Sequence, residues 1–133
     1  MPEAREVCAA AALRLHGAAV CIPVAVDGAP AGAFFVRAPA GVVAYVNRCA
    51  HQPIELDWNP GQFFDAQGYL VCAMHGALYD ANDGQCVAGP CVGARLLALR
   101  VEERETPAGP VVYWLPDARI RPVSETPVPE EKR

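Results

Sequence analysis

Residues 49–76 read CAHQPIELDWNPGQFFDAQGYLVCAMHG, and a Cys/His pair stands at each end of this stretch. Cys49 and His51 form the first pair, Cys72 and His75 form the second, and 20 residues separate His51 from Cys72. Thiolate and imidazole are both ligands that transition metals accept in proteins. The spacing therefore predicts a metal centre to which both pairs contribute.

Two kinds of metal centre use this set of donors. A structural zinc site can be Cys2His2, but its ligands usually follow the order Cys-x-x-Cys and then His-x-x-x-His. The interleaved order found here, Cys-x-His and then Cys-x-x-His-Gly, resembles the signature of the Rieske iron-sulfur family. The residues that match the signature are Cys49, His51, Cys72, His75 and Gly76. The order favours the cluster, and structural zinc stays open as the alternative.

The resemblance implies one [2Fe-2S] cluster per chain, with Cys49 and Cys72 on one iron and His51 and His75 on the other. Two neutral imidazoles in place of two thiolates leave the cluster less negative, so that it accepts an electron more easily. The spacer is a few residues longer than the family usually shows, and we assign the extra length to residues 58–64.

The resemblance also implies an environment for the cluster. Gly76 would allow a positive φ or a close approach of the backbone, and Gly89-Pro90 would belong to a third loop that shields the cluster. Tyr79 would place its hydroxyl on a cysteine sulfur, unless it is simply a core aromatic residue. Ala77 stands where high-potential members carry serine, so we expect a potential below that of the respiratory-complex branch.

Two further positions bear on the branch of the family. The respiratory-complex branch adds a cysteine to each ligand loop, and the corresponding residues here are Ile54 and Met74. The resemblance therefore places the chain with the ferredoxin and oxygenase-like branch.

Short β-prone runs flank the Cys/His stretch on both sides and predict a mostly β fold. The chain between them is rich in Gly and Pro and has room only for short strands. With the resemblance, this pattern predicts a Rieske-like antiparallel β-sandwich, residues 18–116, with a loop-rich cluster-binding subdomain inserted at about residues 47–93. The predicted strands are Val20–Val26, Ala33–Arg37, Val42–Asn47, Tyr69–Cys72, Ala77–Asp80, Ala94–Glu103 and Val111–Leu115.

The two ends of the chain differ from this β region. Residues 2–15 are rich in Ala, Arg, Glu and Leu, which favours a short helix within an N-terminal segment at 1–17. Residues 117–133 are rich in charge and proline, which favours a disordered tail.

Composition excludes several other classes. A length of 133 residues suits one domain, and a net charge of -4 has the wrong sign for a nucleic-acid partner. No apolar run reaches the roughly 18 residues of a membrane span, and the start lacks the basic segment of an export signal. We therefore expect a cytoplasmic protein with no membrane partner.

Six cysteines in a reducing compartment favour metal ligation over a disulfide framework. Cys86 and Cys91 are close enough in sequence for a disulfide or an extra metal site, but small buried hydrophobic residues are the favoured interpretation. Cys8 and Cys21 lie outside any motif and receive no function.

The resemblance implies one-electron transfer by a soluble ferredoxin-like carrier or a small electron-transfer subunit, with a reductase, a terminal oxygenase or a terminal reductase as redox partners. An oxygenase also needs a mononuclear iron held by two histidines and a carboxylate, and only His16 remains beside His51 and His75. We therefore expect an electron carrier and no catalytic iron site in this chain. The open alternative is a regulatory or structural subunit, similar to the small subunit of nitrite reductases, or a redox sensor.

Overall fold

The computed structural model describes residues 4–48, 56, 62–72, 76–89 and 92–123, and strands dominate this part of the chain. A seven-stranded sheet has the order β1-β9-β8-β4-β3-β2-β10, and a three-stranded sheet has the order β5-β6-β7. All neighbouring strands are antiparallel, which confirms the predicted mostly β fold. The strands are β1 (Arg5–Ala9), β2 (Val20–Val26), β3 (Ala29–Ala38), β4 (Gly41–Val46), β5 (Leu70–Val71), β6 (Leu78–Tyr79), β7 (Cys86–Ala88), β8 (Ala98–Thr106), β9 (Gly109–Leu115) and β10 (Ile120–Pro122). No helix in the described ranges is long and apolar enough to cross a bilayer.

Strand β3 is buried on both faces, because successive side chains of a strand point to opposite sides. Phe34 and Val36 belong to a core shared with the three-stranded sheet, whereas Ala33 and Phe35 belong to a second core. The second core also takes side chains from β2, β4, β8, β9 and β10. A continuous apolar run in the sequence is what a strand with two buried faces requires.

The hairpin from β2 to β3 turns more tightly than expected. Its two turn residues are Asp27 and Gly28, which have φ values of 50° and 85°, and pairing begins directly at Val26 and Ala29. Two consecutive residues with positive φ give the turn a twist that matches the twist of the flanking strands. Residues 29–32, which look like a loop in the sequence, therefore belong to β3.

The short helix predicted near the N-terminus is wrong. Strand β1 occupies Arg5–Ala9 and pairs with β9, and a single 3-10 turn follows at Ala10–Ala12. An isolated helix of this length is marginal in water, and the edge of β9 offers backbone partners that outweigh helix propensity.

Arg37 holds the turn that follows β1. Its guanidinium donates from Nε to the carbonyl oxygen of Leu13 at 2.7 Å and from Nη2 to that of Ala10 at 3.0 Å. Glu103 lies 3.8 Å from the same guanidinium. One partly buried arginine thus adds hydrogen bonds to two carbonyl oxygens of the turn that follows β1.

The predicted disorder of residues 117–133 is wrong for the first part of that range. Strand β10 (Ile120–Pro122) pairs with β2, and the Ile120 side chain is buried. Asp117 prepares this strand, because its carboxylate accepts hydrogen bonds from the backbone amides of Arg119 and Ile120 at 2.9 Å each. Residues 124–133 lie outside the described residues.

Tyr45 of β4 fastens the three-stranded sheet to the large sheet. Its hydroxyl donates to the carbonyl oxygen of Ala81 at 2.8 Å, in the turn between β6 and β7. Its ring packs against Gly84, where an added Cβ would lie 2.7 Å from Tyr45 Cε1. Burial, reinforced by the carboxylates of Asp83 and Asp80, raises the pKa of Tyr45 well above its usual range. The phenol therefore stays protonated and remains a donor.

We expect Tyr45→Phe to lower the free energy of unfolding by about 1–2 kcal/mol, since the buried carbonyl of Ala81 would lose its partner. Tyr113→Phe is the matched control, because Tyr113 is half-buried in β9, a strand whose buried residues belong to the second core and not to the core shared with the three-stranded sheet. Urea denaturation of both variants measures the difference. Equal losses in the two variants would contradict a tethering role for Tyr45.

Candidate metal centre

Cys72 lies at the end of β5 and begins the turn that carries the second predicted Cys/His pair. Its side chain is fully buried, at 0% exposure. Its amide donates to the carbonyl oxygen of Ala77 at 2.9 Å, and its own carbonyl accepts from the amide of Gly76 at 2.8 Å. Two backbone hydrogen bonds therefore close the turn on either side of residues 73–75, and His75 is one of those residues outside the described part.

Gly76 follows His75 directly and has a φ of 69°. An added Cβ at this position would meet nothing within 4 Å. The position therefore favours glycine for its backbone conformation and not for lack of space.

Ala77 and Tyr79 lie on the same face of the hairpin as Cys72. Leu70 pairs with Tyr79 and Val71 with Leu78, so the register sets Cys72 opposite Ala77 and diagonal to Tyr79. Ala77 and Tyr79 are both fully buried in the core shared by the two sheets. A diagonal pair on one face is within reach of a long aromatic side chain. The face that carries the Cys72 sulfur can thus receive a hydroxyl from position 79 or 77.

Gly89 brings the third predicted loop against this hairpin. Its φ is 100°, and an added Cβ would lie 2.7 Å from Ala77 Cα. Strand β7 has one extra residue just before it, since Leu78 pairs with Ala88 while Tyr79 pairs with Cys86. Such a bulge bends the strand, and here it precedes the point at which the chain crosses Ala77. Pro90, the other predicted residue of this loop, lies outside the described residues.

Cys86 packs in the core shared by the two sheets, and it is not one of the four predicted ligands. Its side chain is 1% exposed, and its sulfur lies 3.2 Å from the carbonyl oxygen of Ala88. Cys91, the other cysteine that flanks Gly89-Pro90, lies outside the described residues. Cys86 therefore occupies a core position, close to the predicted centre but held by local contacts.

The first Cys/His pair lies between two described residues that contact each other. Cys49 and His51 themselves are outside the described part, but the amide of Leu56 donates to Asn47 Oδ1 at 2.8 Å. The sequence alone does not single out Asn47. An asparagine directly after a strand is a frequent acceptor for nearby backbone amides, and that signal could have drawn attention to it.

The described residues fit the donor set of an iron-sulfur centre. They contribute one of the four predicted ligands, Cys72, as a thiol withdrawn from solvent at the end of a hairpin closed by backbone bonds. A thiolate in such a place needs a metal or another positive partner, because a buried charge is costly alone. The glycine at position 89 gives the third loop direct access to the same hairpin.

Comparison with known proteins identifies a family and several solved structures with a similar fold. The family model of the Rieske [2Fe-2S] domain matches residues 5–107. The ferredoxin of carbazole 1,9a-dioxygenase from Nocardioides aromaticivorans IC177 is 25% identical and superposes with a TM-score of 0.64. That match covers 87% of this chain and 100% of the ferredoxin. No curated protein sequence matches the chain.

Larger proteins share the fold over part of their length. The terminal oxygenase of the same dioxygenase is 23% identical with a TM-score of 0.60, and the match covers 96% of this chain and 34% of the oxygenase. The quaternary ammonium Rieske monooxygenase CntA is 20% identical with a TM-score of 0.60, over 86% of this chain and 32% of the enzyme. The chain thus spans about a third of each oxygenase.

Proposed function

Since the chain belongs to the Rieske [2Fe-2S] domain family, we propose that it works as a ferredoxin-like carrier, or as a small electron-transfer subunit, of a multicomponent oxygenase or reductase. Its cofactor is a Rieske-type [2Fe-2S] cluster, and electron transfer is the activity that the family supports. The match along the whole of a dioxygenase ferredoxin is the observation that carries the more specific role.

Four residues would hold the cluster in this proposal. Cys49 and Cys72 would bind one iron, and His51 and His75 would bind the other. When bound, the cluster supplies a site that accepts and releases one electron. The chain contributes a dry environment for the Cys72 thiolate, and Gly89 lets the third loop pack directly on the ligand hairpin. A dry, tightly packed surround limits water at the sulfurs and tunes the potential.

The partners in this proposal are a reductase that donates electrons and a terminal oxygenase or reductase that accepts them, all in the cytoplasm. The name of the dioxygenase ferredoxin supports such a chain of partners. His16, which has no place in the proposed site, packs instead against the ring of Phe64 with 5.1 Å between the ring centroids. The described geometry gives it a packing role beside the three-stranded sheet.

Spectroscopy of the purified protein tests the proposal. After reduction with dithionite, we expect an electron paramagnetic resonance signal with a lower average g value than all-cysteine clusters give. The reduced protein should then regain the visible absorption of the oxidised cluster when it passes its electron to an oxidising partner. A colourless protein that contains zinc would overturn the proposal. A cluster that never changes oxidation state with any redox partner would favour the regulatory or structural alternative.

We expect Ala77→Ser to raise the reduction potential. Position 77 lies opposite Cys72 on the buried face of the hairpin, so a serine hydroxyl there can donate to the cysteine sulfur. Such a bond stabilises the more negative, reduced state, and each ~1.4 kcal/mol of preference is worth about 60 mV for one electron. A redox titration followed by electron paramagnetic resonance measures the shift.

Ala88→Ser is the control for this substitution. Ala88 pairs with Leu78, on the face of the hairpin turned away from Cys72 and Ala77. A hydroxyl at position 88 should therefore leave the potential unchanged. Equal shifts in the two variants would show that position 77 does not face the cluster.

A further inference from the structure

We propose that Asn47 is a positioning residue that closes the loop carrying Cys49 and His51 and so slows the loss of iron from the centre. The proposal rests on the assignment of those two residues as cluster ligands. It concerns an uncharged side chain that lies in neither Cys/His pair.

Asn47 joins the two ends of the first ligand loop. It follows β4 directly, and its amide donates to the carbonyl oxygen of Gly32 at 2.8 Å, which holds it beside β3 in the interior of the large sheet. Its side-chain Oδ1 accepts from the amide of Leu56 at 2.8 Å. Residues 48–55, with Cys49 and His51 among them, therefore run between two points held by one side chain.

Leu56 is itself anchored in the core. Its side chain has 0% exposure and belongs to the core shared by the two sheets. Phe34 and Phe63 belong to the same core and stack with 3.9 Å between their ring centroids. The hydrogen bond from Leu56 to Asn47 thus connects the end of the ligand loop in the core to its start at the end of β4.

Loss of the hydrogen bond between Asn47 and Leu56 would weaken the retention of iron by the loop. Without the Asn47 oxygen, the amide of Leu56 would lack this partner, and the ends of the loop would lose this hydrogen bond between them. A loop with more freedom holds its ligands in the productive arrangement for less of the time. Loss of a group that hydrogen-bonds a metal ligand directly typically costs about 10–100-fold in metal affinity. Asn47 acts on the loop and not on a ligand, so we expect an effect at the lower end of that range.

The test is the rate at which a chelator bleaches the visible absorption of the cluster-loaded protein. We expect Asn47→Ala to release iron about tenfold faster than the wild type, which corresponds to about 1.4 kcal/mol. Asn47→Asp keeps an acceptor oxygen at the same distance from the backbone, so its rate should stay within about twofold of the wild type. Asn47→Ser places its oxygen one bond closer to the backbone and should behave like Asn47→Ala.

Asn82→Ala separates this effect from a general loss of stability. Asn82 makes the same type of contact, because its Oδ1 accepts a hydrogen bond from the amide of Ala40 at 3.0 Å. It lies in the turn between β6 and β7, however, and not in the turn that carries Cys72 and His75. Its iron release should match the wild type. Equal acceleration in Asn47→Ala and Asn82→Ala, or wild-type release from Asn47→Ala, would overturn the proposal.

The remaining outcomes are also decisive. If Asn47→Ala is too unstable to isolate with its cluster, faster release from Asn47→Ser than from Asn47→Asp supports the proposal, and equal release from these two overturns it. Absence of the expected resonance signal in the wild type would reject the ligand assignment itself. A wild type with that signal and an Asn47→Ala variant with unchanged release would reject the role of Asn47 alone.

Discussion

Cys72→Ser is expected to abolish the Rieske resonance signal. The thiol of Cys72 is fully buried at the end of the β5 to β6 hairpin and would supply one of the two thiolates that hold the same iron. A serine hydroxyl stays protonated at neutral pH and is a harder donor, so it is a poor substitute for a thiolate at iron. Electron paramagnetic resonance and iron analysis of the purified variant measure the loss.

Cys86→Ser provides the matched control. Cys86 is as deeply buried as Cys72 and belongs to the same core, but it is not a proposed ligand. Its serine variant should keep the signal, with only the modest instability of a polar atom in the core. His75→Ala should lose the signal as well, because the outer iron would lose half of its protein ligands. Retention of the native signal in Cys72→Ser or His75→Ala would contradict the ligand assignment.

Gly89→Ala is expected to lower the free energy of unfolding by about 3 kcal/mol. A side chain at a φ of 100° is strained by on the order of 1–3 kcal/mol, and the added Cβ would also lie 2.7 Å from Ala77 Cα. Because Ala77 Cα is backbone, the contact can be relieved only if β7 and the hairpin move apart. Urea denaturation, followed by the visible absorption of the cluster and by tryptophan fluorescence, measures the loss of stability.

Gly93→Ala isolates the contribution of that contact. Gly93 has a nearly identical φ of 96°, but an added Cβ there would meet nothing within 4 Å. This variant should carry only the conformational cost, about 1 kcal/mol. If both variants lost the same stability, the close approach to Ala77 would not hold the third loop against the hairpin.

The strands that the sequence predicts best are those in which the apolar pattern agrees with the final environment. Strand β2 has its predicted bounds, Val20–Val26, and β9 is predicted to within two residues at its start. The N-terminal segment fails because Arg5–Ala9 has a composition that favours helix, while pairing with β9 decides its structure. Strand β10 fails because its three residues are too few to form a pattern, and only the turn at Asp117 and the edge of β2 create it.

The proposed site divides in a similar way. The Cys/His spacing and the family resemblance suffice to propose the four ligands and the glycines at 76 and 89. Contacts between distant parts of the chain do not follow from spacing. The approach of Gly89 to Ala77 depends on one extra residue in β7, and the bond between Asn47 and Leu56 depends on where the loop re-enters the core. Both contacts depend on the register of the strands, which cannot be derived from the sequence pattern.

The burial of β3 on both faces has a consequence for protein engineering. The three-stranded sheet does not form its hydrophobic core alone, because Phe34, Val36 and Tyr45 of that core come from β3 and β4 of the large sheet. A transplant of residues 47–93 into an unrelated scaffold would carry the ligand loops, but the buried face of the three-stranded sheet would lose the apolar side chains of β3 and β4 that cover it. The smallest portable unit therefore includes β3 and β4, and with them the opposite core that keeps those two strands in place.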